Sequence, residues 1–101
     1  MTIWHECKMS TLYYSADEAG DSRCAVRLEP GYILVEYEDE GRFYHYTGHE
    51  KGEGHYQLHC AENNGKATLH RFAESTILEG FWRESGVHGM WRIELGGEAA
   101  A

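Results

Sequence analysis

The sequence predicts an all-β protein, an antiparallel up-and-down meander of seven to eight strands forming a small closed or nearly closed barrel. Three observations carry that expectation. The segment from Leu78 to Ile93 solves as one hairpin with matched partners on both faces. Residues 23–29 and 32–38 alternate between apolar and polar around Pro30-Gly31. Elsewhere glycines cut the chain into short segments rich in Tyr, Thr, Val and Ile, residues that suit a pleated, half-buried surface.

The last hairpin can be registered from the residues alone. If Ser85-Gly86 is a two-residue turn, Glu84 faces Val87, Trp82 faces Gly89 and Gly80 faces Trp91. Each indole then covers a facing glycine, an arrangement that pins register. Leu78 meets Ile93 on that face, while Glu79 meets Arg92 on the other, where opposite charges help. A slip of one residue would break all of these matches together. The Gly80-x-Trp82…Gly89-x-Trp91 hairpin closing a meander resembles small calycin-type (lipocalin- or avidin-like) β-barrel domains, including uncharacterised bacterial ones. The resemblance implies a barrel that binds a small ligand. The chain departs from the lipocalin pattern at its start, where Trp4 is not preceded by the glycine of a Gly-x-Trp strand.

The other elements follow in chain order. Residues 3–14 admit two readings: Ile3, Cys7 and Thr11 have helical spacing, whereas the Tyr, Thr, Ile and Trp content favours a strand. Residues 15–22 read as a loop or one helical turn. Around the Pro30-Gly31 turn, pairing Leu28 with Ile33 and Val26 with Val35 puts Cys24, Val26, Leu28, Ile33, Val35 and Tyr37 on one face. The acid-flanked turns Glu38–Arg42 and Glu62–Lys66 read as three-residue loops, a type I turn followed by a left-handed glycine; Asn64-Gly65 as a two-residue turn is the alternative. The strands at 42–48, 54–61, 67–73, 76–83 and 88–95 then follow. On this register Phe43, His45, Tyr56, His70 and Phe72 face inward with Tyr37, while Tyr44, Tyr46 and Leu69 face outward. The expected core is Val26, Leu28, Ile33, Val35, Leu78, Trp82, Trp91 and Ile93. Residues 1–96 make a single domain, and residues 97–101 read as a frayed tail.

Composition narrows the function classes. At 101 residues the chain is one domain, and an aromatic content of 13% supports a real core. A net charge of −8 argues against nucleic acid and acidic membrane surfaces, which need Lys and Arg. No apolar run approaches the ~20 residues of a spanning helix. The start Met1-Thr2-Ile3-Trp4-His5 lacks a basic and apolar leader, so a cytoplasmic location is expected. Cys7, Cys24 and Cys60, odd in number and widely spaced, read as reduced core thiols. With an export signal on the natural gene, one disulfide and one free thiol is the alternative.

Seven histidines invite a metal reading, yet their spacing matches no finger, HExxH or cysteine-pair signature. His55 and His59 can share a strand face, and Cys60 must point away from both. The carboxylates fall mostly at strand ends and on outer faces, as a solvated surface does. Gly48, Gly52 and Gly54 lack the helix start and lysine of a phosphate loop. No catalytic residue, metal or cofactor is therefore assigned. The leading expectation is a non-enzymatic binding domain for a small, partly apolar or aromatic ligand. Its candidate pocket is Tyr37, Phe43, His45, Tyr56, His70, Trp82 and Trp91. The alternative is a structural or interaction module acting as a homodimer through Phe81, Met90, Tyr44 and Tyr46, since contiguous exposed apolar side chains mark interfaces.

Overall fold

In a computed structural model, which describes residues 1–14 and 18–100, the turns divide the chain into nine antiparallel strands. They are β1 (Thr2–Tyr13), β2 (Glu18–Glu29), β3 (Tyr32–Asp39), β4 (Arg42–Glu50), β5 (His55–Cys60), β6 (Lys66–His70), β7 (Ile77–Glu84), β8 (Val87–Glu94) and β9 (Glu98–Ala100). Each strand from β2 to β7 pairs with the next in sequence, and β1 pairs with both β2 and β8. Eight strands thus close into an up-and-down barrel, which removes the exposed edges of a flat meander. Among the described residues there is no helix, so none is long and apolar enough to cross a membrane.

The β7–β8 hairpin has the register read from its residues. Glu84 pairs with Val87, Trp82 with Gly89, Gly80 with Trp91 and Leu78 with Ile93. Ser85 and Gly86 both take positive φ, 44° and 82°, as a type I′ turn demands. The structure adds a second reason for the two glycines. A Cβ at Gly80 would overlap the Thr68 carbonyl of β6, and one at Gly89 would overlap the Leu12 carbonyl of β1. Both positions admit a neighbouring backbone on the inside of the bend, which lets so small a barrel curl shut. The β2–β3 pairing also holds, with Leu28 opposite Ile33 and Val26 opposite Val35.

β1 resolves the two readings of residues 3–14 in favour of a strand, and the helical spacing has a local cause. Trp4 pairs with Val26 but Cys7 with Cys24, so β1 carries one extra residue between them. This bulge turns Trp4, Cys7 and Met9 all inward although they break strict alternation. Opposite the bulge, the His5 and Glu6 amides donate to the Gly97 and Gly96 carbonyls at 3.2 and 3.0 Å. Beyond it, Glu98–Ala100 pair with Thr2–Trp4, so the expectation of a frayed end is corrected for these residues. Residues 18–22 belong to β2 rather than to a loop, while residues 15–17 and Ala101 lie outside the described residues.

Two turns differ from expectation by one residue, and each difference moves side chains through the sheet. Asp39 pairs with Arg42, so the β3–β4 loop is the two residues Glu40 and Gly41, both at positive φ (51° and 79°). A glutamate is an unfavourable occupant of that region, which is why a type I turn was the natural reading. The correction places Tyr44 and Tyr46 inward and Phe43 and His45 outward. At the β5–β6 turn His59 pairs with Lys66, and the Cys60 amide donates to the Gly65 carbonyl at 2.9 Å. The loop is therefore Ala61–Asn64, held by the Asn63 side chain, whose Oδ1 accepts from the Gly65 amide at 2.7 Å. Here the correction turns Ala67 and Leu69 inward and His70 outward.

The barrel interior is filled. Trp4, Met9, Val26, Ile33, Val35, Tyr46, Leu58, Leu69, Leu78, Trp82, Trp91 and Ile93 are among its buried side chains. Leu28 packs against them partly exposed. One end is covered by Arg71, whose guanidinium lies 5.5 Å over the Trp4 ring. The opposite end, where the β3–β4 and β7–β8 turns sit, stays open.

Candidate functional site

At the open end residues of five strands meet around a hollow of about 220 Å³, most of them at inward positions, with Asp21 and Glu38 at its exposed rim. Met9, Thr11 and Tyr13 come from β1, Asp21 and Ser22 from β2, and Tyr37, Glu38 and Asp39 from β3. Trp82 and Glu84 come from β7 and Trp91 from β8. The hollow exists because β7 ends on a carboxylate. Inward alternation along Leu78, Gly80 and Trp82 arrives at Glu84 just before the turn, where an apolar side chain would have extended the core.

The walls are aromatic and continuous. Tyr37 stacks on Tyr44 at 5.4 Å between ring centroids and on Tyr46 at 6.3 Å. Trp91 meets the edge of Tyr46 at 4.8 Å and stacks on Trp82 at 6.2 Å, and Trp82 meets Tyr13 edge-on at 5.1 Å. Such contacts fix ring orientation beyond the area they bury. Glu84 sits against this wall as an acceptor. The Tyr46 hydroxyl donates a short hydrogen bond to its Oε1, and the Tyr37 hydroxyl reaches the same oxygen at 3.4 Å. Gly65 leaves the room for it, because a Cβ there would strike the Tyr46 hydroxyl and crowd the Glu84 side chain. Burial, followed by the adjacent carboxylate, pushes both phenols well above their ordinary range, so they stay protonated donors. Oε2 of Glu84 has no donor among the described residues. The Trp82 indole N–H is buried and likewise has no hydrogen-bond partner there. An unmet buried donor of this kind calls for an explanation.

Of the expected pocket residues, Tyr37, Trp82 and Trp91 line this hollow. Tyr56 is buried inside the barrel but does not line it. Phe43, His45 and His70 are corrected to the outer face, Phe43 being 54% exposed. Phe72, also expected inside, is 89% exposed. His45 bridges two carboxylates outside, its Nδ1 at 2.7 Å from Glu62 and its Nε2 at 3.1 Å from Glu36. The contact with His45 draws Glu62 down to about 2, and Glu62 in turn raises His45. His55 and His70 pair across β5 and β6 and stack at 4.6 Å. Among the described residues no group of three or more His, Cys, Asp and Glu side chains is arranged to hold a metal ion.

The interface candidates divide as well. Phe81 and Met90 are paired on the outer face, and Leu12 pairs with Met90 from the other side, so three exposed apolar side chains form one stripe. Tyr44 and Tyr46 are corrected to the inside. Glu84, Tyr13 and the acids Asp21, Glu38 and Asp39 are mouth residues that sequence reasoning missed. Glu84 was legible in principle, since it shares the parity of Trp82 in the solved hairpin.

Comparison with protein-family models, with curated proteins and with solved structures found no match for this chain.

Proposed function

We propose that the protein is a non-enzymatic binding domain whose open barrel end takes a small, partly apolar organic cation, an aromatic amine being the simplest fit. The carrying observation is Glu84, a carboxylate on the inward face of β7 among Tyr37, Tyr46, Trp82 and Trp91, with one oxygen held by phenols and the other free of donors among the described residues. Glu38 and Asp39 add negative charge at the rim of the same hollow, while Asp21 there is paired with Lys8 at 3.7 Å, and no lysine or arginine lines the hollow. Aromatic faces and a carboxylate together suit an ammonium group attached to a ring. The volume sets the size: about 220 Å³ lies below the ~300–1,000 Å³ of drug-sized sites. The eight-stranded up-and-down order is compatible with a calycin-like fold, and kinship with that group is part of the proposal.

The test uses two probes of matched shape and opposite charge, 2-phenylethylamine and 3-phenylpropionate, followed by the Trp82 and Trp91 indole N–H signals in NMR titrations. The amine is expected to shift both signals saturably and the acid to leave them unmoved. Glu84→Gln keeps the acceptor for the tyrosines and is expected to weaken the amine about ten-fold or more. Equal responses to both probes, or no response to either, overturn the reading.

A second reading, a homodimer through the outer sheet face, is favoured by the Leu12–Met90–Phe81 stripe. Under it Phe81→Arg is expected to yield a folded monomer by light scattering, and a dimer that survives the substitution removes this face from consideration.

A further inference from the structure

Three cysteines are free and buried, and two of them lie face to face. Cys7 of β1 and Cys24 of β2 are direct cross-strand partners. Opposed residues in an antiparallel pair have Cα atoms about 4.5–5.5 Å apart, inside the ~4.4–6.8 Å that a disulfide spans. Both side chains point into the barrel, and the Cys7 thiol faces the Trp4 and Gly96 carbonyls at 3.5 and 4.0 Å. Cys60 sits on β5, in register with Tyr46 of β4 and away from this pair.

We propose that Cys7 and Cys24 form a reversible cross-strand disulfide by exchange with a low-molecular-weight disulfide, while Cys60 stays reduced. The bulge makes the site. The extra residue between Trp4 and Cys7 returns Cys7 to the inner face opposite Cys24; without it the β1 position facing Cys24 would be Glu6. The bulge also interrupts the ladder beside a surface hollow of about 600 Å³ that Cys7 lines with His5, Glu6, Lys8, Asp21 and Arg23; Cys7 is 2% exposed, so the reagent reaches its sulfur when β1 opens locally at the bulge. The neighbouring Cys24 thiol draws Cys7 below its ordinary range, and Cys7 together with burial pushes Cys24 above its own, so Cys7 is the attacking sulfur. The Cys7 thiolate attacks the reagent RSSR, forming Cys7–S–S–R and releasing RS⁻. Cys24 then gives up its proton and displaces the second RS⁻ from the Cys7 sulfur. Two protein thiols are oxidised, one RSSR is reduced to two RSH, and the two protons end on the released thiols. The product closes the loop of residues 8–23, tying β1 to β2 one inward step below Met9 and Ser22 of the open mouth.

The experiment treats the folded protein with oxidised glutathione, then denatures it, alkylates the remaining thiols and digests with trypsin. Lys8, Arg23, Arg27, Lys51 and Lys66 are cleavage points, so the three cysteines fall in separate peptides, residues 1–8, 24–27 and 52–66. The expected result is peptide 1–8 joined to 24–27, with 52–66 alkylated, and a melting temperature about 10 °C or more above that of the reduced protein. Dithiothreitol reverses both changes. Cys60→Ser keeps the link and the shift, whereas Cys24→Ser loses them. Recovery of peptides 1–8 and 24–27 unlinked, either alkylated or each carrying glutathione, overturns the proposal, as does a link from either to 52–66.

Discussion

Gly80→Ala is expected to destabilise the protein by about 3 kcal/mol or more, read as a lower midpoint in urea unfolding. The sign is opposite to the ordinary effect of replacing glycine within a strand, where alanine costs less chain entropy. Here the added methyl would occupy the space of the Thr68 carbonyl and crowd the Leu69 Cα, both of them backbone. Backbone cannot swing aside as a long side chain can, so β6 and β7 must separate where the barrel bends. Gly20→Ala supplies the control within the same fold. Nothing lies within 4 Å of a Cβ at Gly20, so a change between neutral and a gain of about 1 kcal/mol is expected there. If Gly80→Ala were as silent as Gly20→Ala, the close approach of β6 to β7 would be wrong.

The second large effect separates the two registers of the β3–β4 hairpin. Tyr46→Ala is expected to cost about 3–5 kcal/mol, the range for deleting a large buried aromatic side chain. Tyr46 has no exposed surface, packs on Tyr37 and Trp91, and donates to Glu84. Phe43→Ala is expected to stay within about 0.5 kcal/mol, because that ring lies on the surface. A three-residue turn at Glu38–Arg42 predicts the reverse order. Urea unfolding of the two variants therefore decides which parity the β4 side chains have.

How much was legible follows from where the information sits. The β7–β8 and β2–β3 hairpins were readable because every pair is specified twice, once by the turn and once by facing residues. Trp82 over Gly89 and Glu79 beside Arg92 admit one register only. β4 and β6 carry no such second signal. Tyr44, His45 and Tyr46 are amphipathic on either face, so their orientation rested wholly on the length of one turn, and Glu40 is an atypical residue for the conformation it adopts. The site divides along the same line. Tyr37, Trp82 and Trp91 face the hollow as read because they lie on the two specified hairpins, and His45 and His70 take the opposite face with their strands.

By itself the sequence determined the all-β class, the meander order and the faces of four strands, since these depend on contacts between neighbours in the chain. Closure depended on tertiary structure. The bulge that sets Cys7 opposite Cys24, the pairing of β1 with β8 and the docking of β9 on Thr2–Trp4 join segments far apart in sequence. So did the use of Gly80 and Gly89 to admit neighbouring backbones, and the meeting of Glu84 with Tyr46 across the barrel. A two-residue periodicity tells which side chains share a face, but a barrel's interior is assigned only when its strands come together, because a one-residue change in any turn exchanges inside for outside.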